Sequence, residues 1–495
     1  MSWTWITLAV VLLTYLLQAW SKKEQRKLPP GPKSLPVLGH LHLIGKNPHQ
    51  GLQKLARKHG PLMYVRFGSV PNIIVSSPEA AKQFLKIHDL NFASRPPHDA
   101  AKHASYDQKN LSFSAYGPYW RSMRKLCTLE LLNNVKINTF QALRKEENKL
   151  LVDSIVNAAR EHVAVDLSAK VSSMSANVGC RMIFGKKYED KDIDGRGFKA
   201  LIEESMKLAS VPNLANFFPF LGKLDLLGFT KRMKAVAAVF DRFLEKILDE
   251  HEIPKDSGHT KDFVDIMLDI MKSGETEFEF ERSHIKAVLL DMLAASVDTA
   301  ATTVEWTMSE LLKHPRVMDK VQKELAEVVG MHKLVDESDL ESLVYLNMVI
   351  KEVFRLHPPS PLLLPHQSIE DCNIDGYFIP KKTTVMVNVY AIGRDSNVWN
   401  DAEDFIPERF IGSNIDIRGQ DFELLPFGSG RRGCPGMQLG IITVRLVVAT
   451  LVHSFDWKLP NGMMPSELDM TEEFGLVVRR ANHLTVTPSC RLHVY

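Results

Sequence analysis

The chain has 495 residues, 45% hydrophobic and 24% charged, a globular composition that excludes disordered and collagen-like classes. Lysine plus arginine (61) nearly balances aspartate plus glutamate (59), so no global basic field argues for nucleic acid. Five scattered cysteines (Cys127, Cys180, Cys372, Cys434, Cys490) form no disulfide framework and suit a reducing compartment.

Residues 3–20 read WTWITLAVVLLTYLLQAW, without a charge. As a helix this run reaches roughly 27 Å, enough for a thin bilayer, with tryptophans at both interfaces. Lys22, Lys23, Arg26 and Lys27 follow, and the positive-inside rule keeps the rest of the chain cytosolic. No basic residue precedes the run and no small-residue cleavage site follows it, which argues against a cleaved signal peptide. Residues 1–21 therefore read as a membrane anchor. Residues 22–35, basic and then proline-rich (LPPGP), read as a stiff hinge.

Residues 62–67 and 72–76 read as strands around a turn at 68–71, and Pro78 starts a helix. Residues 91–110 show no period and read as a long loop. Asn110-Leu111-Ser112 is a formal glycosylation sequon that a cytosolic domain leaves unmodified. In YWRSMRK (119–125), Trp120 and Arg124 share a helical face, where an indole N–H and a guanidinium can hold a carboxylate; an exposed aromatic–cation pair is the alternative. Arg121 and Lys125 lie elsewhere on that helix, as a solvated face or a docking surface for an acidic partner. Residues 140–251 read as amphipathic helices without a chemical motif, and 254–260 as a polar break.

A helix is predicted over 283–314, with Ser283 as N-cap, and would span roughly 45 Å, the width of a domain. Small residues at its centre (Ala294, Ala295, Ser296, Ala300, Ala301) leave room for a flat ligand, and Asp298 and Thr299 interrupt the apolar run. A buried carboxylate there needs partners. Over 346–356, Glu352 and Arg355 lie three apart among apolar residues, so the pair is expected to be buried and to need further hydrogen bonds; Arg409 in FIPERF can supply a second guanidinium. The proline-broken HPPSPLLLPH (357–366) cannot be helix and carries Leu362, Leu363, Leu364 and His366. Residues 383–389 alternate like a strand. Residues 426–440, PFGSGRRGCPGMQLG, hold one cysteine among five glycines and two prolines and lead into an apolar helix. Gly428, Gly430, Gly433 and Gly436 are expected to allow positive φ, and the helix N-terminus to favour a Cys434 thiolate. No second Cys or His stands at zinc spacing.

Phe427, Gly430, Arg432, Cys434 and Gly436 fit F-x-x-G-x-R-x-C-x-G at every fixed position, and the chain resembles the haem-thiolate monooxygenases of the cytochrome P450 superfamily. Four further stretches are similar to that family's motifs in order: W-x-x-x-R (Trp120, Arg124), the acid–threonine motif (Asp298, Thr299), E-x-x-R (Glu352, Arg355) and P-x-R-F (Arg409). Ser296 and Ala300 depart from the usual glycine and second hydroxyl residue. The resemblance implies one mainly α unit with a small β region over 36–495, behind an N-terminal transmembrane helix. It implies haem b with Cys434 as axial ligand and propionates held by Trp120, Arg124, His366 and Arg432. Phe427 and Gly436 would shape the ligand loop, Asp298 and Thr299 would manage protons, and Glu352, Arg355 and Arg409 would be structural. It further implies electrons from NADPH through the separate NADPH–cytochrome P450 reductase, O2 as co-substrate, and the endoplasmic reticulum membrane as location. The motif wording is similar to plant microsomal A-type members of specialised metabolism. Hydroxylation of a small lipophilic aromatic or phenolic compound such as a biphenyl is expected, with a terpenoid as rival. An isomerase or lyase working without reductase and a non-enzymatic haem-binding membrane protein are the alternatives.

Overall fold

The computed structural model describes residues 27–188, 198–210, 213–219, 225, 227–254 and 260–492. The expected anchor over 1–21, with Lys22, Lys23 and Arg26, lies outside the described residues. The helices that build the site are α1 (Pro48–His59), α2 (Asp99–Ala104), α3 (Pro118–Leu126), α4 (Gln141–Glu161), α5 (Leu167–Phe184), α6 (Phe229–Glu252), α7 (Arg282–Lys313), α8 (Val344–Leu356) and α9 (Met437–Ser454). The main sheet runs β1 (Leu62–Phe67), β2 (Val70–Val75), β4 (Thr384–Val387), β3 (His366–Gln367). Hairpin β1/β2 pairs Leu62 with Val75 and Phe67 with Val70; β2 and β4 run parallel, and His366 opposes Val385. The fold is mainly α with small sheets, as expected.

Helix α7 organises the interior. Its 32 residues run between α5, α8 and α9, and from Ala301 to Leu312 every residue is buried, Trp306 among the largest. Helix-wide apolarity of that kind belongs to a core element. Both α7 and α9 are long and apolar enough to cross a membrane by composition, but they pack inside the protein. The start of α7 differs from expectation: Glu281, not Ser283, is the N-cap, in a reciprocal capping box with His284. The end falls at His314, before Pro315, because proline disfavours helix at the residue before it.

Two segments read as irregular are better defined. The stretch 91–110 contains α2, whose six residues are too few for a visible period. The proline-rich hinge is extended but does not stand free. Lys27 O accepts from Phe378 N and Pro30 O from Tyr64 N, each at 2.8 Å, so the segment lies against strands. Gly31 is required there, because a Cβ would stand 2.1 Å from Tyr64 O.

Candidate active site

The Cys434 loop closes on itself: Cys434 N donates to Phe427 O at 2.9 Å and Gly433 N to Gly430 O at 3.0 Å. Gly428 and Gly430 take φ of +67°, whereas Gly433 and Gly436 do not leave the ordinary region (−55° and −90°). Two of the four glycines thus serve backbone conformation. Gly430 also serves space, since its Cβ would lie 2.2 Å from Leu85 O. At Gly436 a Cβ would meet nothing within 4 Å, because that side of the loop is open.

It is open to a cavity of about 440 Å³ between the loop and the middle of α7, lined by Cys434, Phe427, Gly436 and Thr299 among others. Cys434 is surrounded by protein on its other sides, and its exposed surface faces this cavity. Burial pushes its thiol up, more than the Gly436 amide and Arg124 pull it down. At this sulfur burial is the larger influence, and the Gly436 amide and Arg124 oppose it.

Three guanidiniums gather at the cavity rim. Arg124 Nη2 donates to Gly433 O at 2.7 Å, fastening α3 to the cysteine loop. Arg432 Nε reaches Ala93 O at 2.6 Å, Nη1 Leu111 O at 3.1 Å and Nη2 Ser114 O at 2.6 Å, and it stacks 4.0 Å over the Trp120 ring. Arg95, which the sequence did not flag, donates from Nε to Ser112 O and from Nη1 to Leu364 O and Pro365 O. Burial, with Arg95 and Arg124 as neighbours, pushes Arg432 down to about 8; burial pushes Arg95 down to about 9. A guanidinium does not deprotonate in a protein, so the depressions reflect burial of neighbouring cations, a setting that favours an anionic ligand. Among the described residues Asp291 is the one acid on the cavity wall. A thiol below, three cations at the rim and a floor without side chain at Gly436 fit a flat macrocycle with a metal centre and anionic substituents.

The structure refines two expected ligands. Trp120 Nε1 donates to Leu111 O at 3.0 Å, so its N–H is already used and the indole acts as the platform under Arg432. His366 Nδ1 bonds Phe92 O at 2.9 Å, and burial beside Arg95 and Arg432 pushes the imidazole down to about 3. In that neutral ring Nδ1 carries the proton and Nε2 is an acceptor, so His366 is a donor to a carboxylate only after gaining a second proton.

On α7, Thr299 faces the cavity and its Oγ1 donates to Ala295 O at 2.7 Å. Asp298 is half-buried and does not line the cavity, so the structure does not bring it onto the wall beside Thr299. The Ser296 departure is accommodated across the interface with α5: Ser175 Oγ donates to Ser296 O at 2.8 Å, and Gly179 leaves the space where a Cβ would lie 2.3 Å from Ser296 Oγ. Leu363 and Leu364 line the cavity, whereas Leu362 faces a neighbouring one. Leu476 and Val477 close the wall from the hairpin between Glu472–Glu473 and Arg479–Arg480.

Glu352, Arg355 and Arg409 form the expected lock. Glu352 accepts from Arg355 Nε (2.8 Å) and Nη2 (2.7 Å), Arg409 Nε (3.0 Å) and Ile406 N (2.8 Å). Arg355 also reaches the carbonyls of Gly393, Ala402 and Asp404. The sequence signal for Asp291 was a carboxylate inside an apolar helix, and for Arg95 a cation directly before Pro96-Pro97.

A helical fold around one cysteine loop that opens to an internal cavity, roofed by a threonine-bearing core helix, defines a haem-thiolate oxygenase. The family description "Cytochrome P450" matches residues 29–485, and the chain belongs to that family. It is 52% identical to cytochrome P450 CYP736A12 of Panax ginseng over 95% of each chain. It is 40% identical to a flavonoid 3'-monooxygenase of Petunia hybrida over 98% of each. Among solved structures it is similar to a zebra fish cytochrome P450 determined with abiraterone (28% identity, TM-score 0.76, 90% of this chain and 100% of that one). The protein is a plant-type haem monooxygenase that carries haem b.

Proposed function

We propose that this monooxygenase inserts one atom of O2 into a small lipophilic aromatic or phenolic plant metabolite. The apolar cavity wall supports a lipophilic substrate. The 40% identity to a flavonoid 3'-monooxygenase supports an aromatic one over a terpenoid. We assign Cys434 Sγ as the atom that would bind the haem iron, with Phe427 and Gly436 shaping its loop. Arg124, Arg432 and Arg95 would hold the propionates, Trp120 supports Arg432, and His366 would complete the rim where a propionate's charge offsets the burial that keeps it neutral. The observation that carries these assignments is the thiol of Cys434 facing a cavity lined by three buried or half-buried guanidiniums and, among the described residues, by one carboxylate.

When bound, the haem supplies the oxidation itself. The chain excludes water with Leu363, Leu364, Leu476 and Val477, and holds a hydroxyl proton at Thr299 Oγ1 on the helix above. Asp298, one residue earlier and off the wall, exchanges that proton with solvent. Electrons come from NADPH through NADPH–cytochrome P450 reductase, docking near Arg121 and Lys125 on α3, whose neighbour Arg124 touches the cysteine loop. Residues 1–21 anchor the protein in the endoplasmic reticulum membrane with the domain in the cytosol.

The test is turnover in membranes containing the chain, the reductase and NADPH, offered panels of biphenyls, flavonoids and terpenoids. NADPH- and O2-dependent gain of one oxygen on an aromatic ring is expected. Oxidation confined to the terpenoids overturns the substrate assignment. Turnover without reductase overturns the electron route.

A further inference from the structure

Asp291 sits on α7, eight positions before Thr299 or roughly 12 Å along the axis. Among the described residues it is the one carboxylate on a cavity wall that is apolar apart from its rim, and burial pushes it up against the hydrogen bonds that hold it. Both oxygens are used. Oδ1 accepts from Asn110 Nδ2 at 3.0 Å and Oδ2 from Ser112 N at 2.9 Å, with the Leu111 amide also donating toward it. Asn110 Oδ1 in turn accepts from Phe113 N at 3.2 Å. Residues 110–113 therefore hang from one carboxylate on the core helix.

That same short segment carries the carbonyls on which the rim depends. Leu111 O accepts from both Trp120 Nε1 and Arg432 Nη1, Ser112 O from Arg95 Nε, and Ser114 O from Arg432 Nη2. The segment has no helix or strand of its own. It is entered through three consecutive left-handed residues, Tyr106, Asp107 and Gln108, with φ of 51°, 64° and 61°. Such a conformation costs free energy at non-glycine residues and persists only where the surroundings fix it.

We propose that Asp291 is a positioning residue for the haem-binding arginines: it fixes residues 110–113, whose carbonyls aim Arg95 and Arg432 into the site. This rests on the assignment of those arginines to the propionates. A reciprocal exchange keeps one carboxylate and one amide at the two positions, so it is informative. In N110D/D291N the new amide donates to the new carboxylate and still offers one oxygen to Ser112 N, while the new carboxylate still accepts from Phe113 N.

The experiment uses the full-length, haem-loaded chain and measures haem transfer to excess apomyoglobin, beside the Soret band of the ferrous–carbon monoxide form. In D291N one donor loses its acceptor, and haem loss is expected to be about tenfold faster; D291A should be faster still. N110D/D291N should return to within about threefold of the parent, with the thiolate-type Soret band intact. N110A, which keeps the carboxylate, gives an intermediate rate and covers the case in which D291A does not fold. Parent-like haem loss in D291N and N110A overturns the proposal, as does a double variant no better than D291N. A parent that binds haem without a thiolate-type band removes Cys434 as ligand, and a parent in which R95A and R432A leave haem retention unchanged removes the propionate assignment. Both results are separate from the positioning result.

Discussion

Replacing Glu352 by alanine tests whether the cysteine loop is held from a distance. Neither Glu352 nor Arg355 has exposed side-chain surface. The substitution removes one carboxylate that accepts two bonds from Arg355, one from Arg409 and one from Ile406 N. Two cations then stay in the interior with only carbonyl partners. Breaking a buried ion pair by deleting one partner costs about 3–5 kcal/mol, against a total stability of about 5–15 kcal/mol. The folded-to-unfolded ratio should fall by roughly a factor of several hundred. The assay is urea unfolding of the haem-loaded protein, followed by loss of the thiolate-type ferrous–carbon monoxide band. E352A should unfold at markedly lower urea or fail to accumulate. E352Q, which keeps one acceptor oxygen, should lie between E352A and the parent. A midpoint for E352A equal to that of the parent refutes the reasoning.

Other expectations are quicker to check. C434S should bind haem without the thiolate-type band in a reduced carbon monoxide difference spectrum, and should give no product. T299A should keep that band and its substrate-dependent NADPH oxidation while product per NADPH falls by about 10²-fold, as expected when a positioned proton donor is lost. G430A forces a Cβ to 2.2 Å from Leu85 O at a φ of +67°, so it should destabilise by more than about 1 kcal/mol and lower haem content. For acid stability the informative group is Glu310. Burial alone would raise it, but hydrogen bonds from His314 and His357 outweigh burial and hold it down to about 2. Its folded value lies below its unfolded value, so its contribution is present above the ordinary carboxylate range and is lost as pH falls toward about 2. E310Q should therefore flatten the acid limb of a stability-against-pH curve.

What was legible in the sequence was whatever a short spacing encodes. Trp120 with Arg124 and Glu352 with Arg355 are helical neighbours, and the Cys434 loop is contiguous, so the residues announce themselves within one turn or one loop. Contacts made across the fold were not legible. Arg95 meets Ser112, Leu364 and Pro365, and Asp291 meets Asn110 and Ser112; no periodicity links such positions. The same reason explains the two refined ligands. The pattern marks Trp120 and His366 as polar groups near the site, but the Leu111 and Phe92 carbonyls that occupy their N–H groups come from a loop without a period. Glycine positions were half legible, because φ > 0 at Gly428 and Gly430 and plain lack of side chain at Gly436 look identical in sequence.

The position of the Cys434 sulfur follows from these long contacts rather than from its own loop. Between Pro426 and Met437 only a single 3-10 turn at Gly430–Arg432 is regular. The loop is instead fastened at three points: Arg124 to Gly433 O, Arg432 to the carbonyls of Ala93, Leu111 and Ser114, and Gly430 against Leu85 O. Two fasteners, Gly430 and Arg432, belong to the motif and the third, Arg124, comes from α3, and each partner is a main-chain oxygen. Main-chain oxygens exist at every residue, so the partners can change sequence freely while the fasteners cannot change type. That asymmetry is why a ten-residue pattern identifies the site, whereas the cavity wall is built by side chains such as Leu363, Leu364, Leu476 and Val477 that no short pattern fixes.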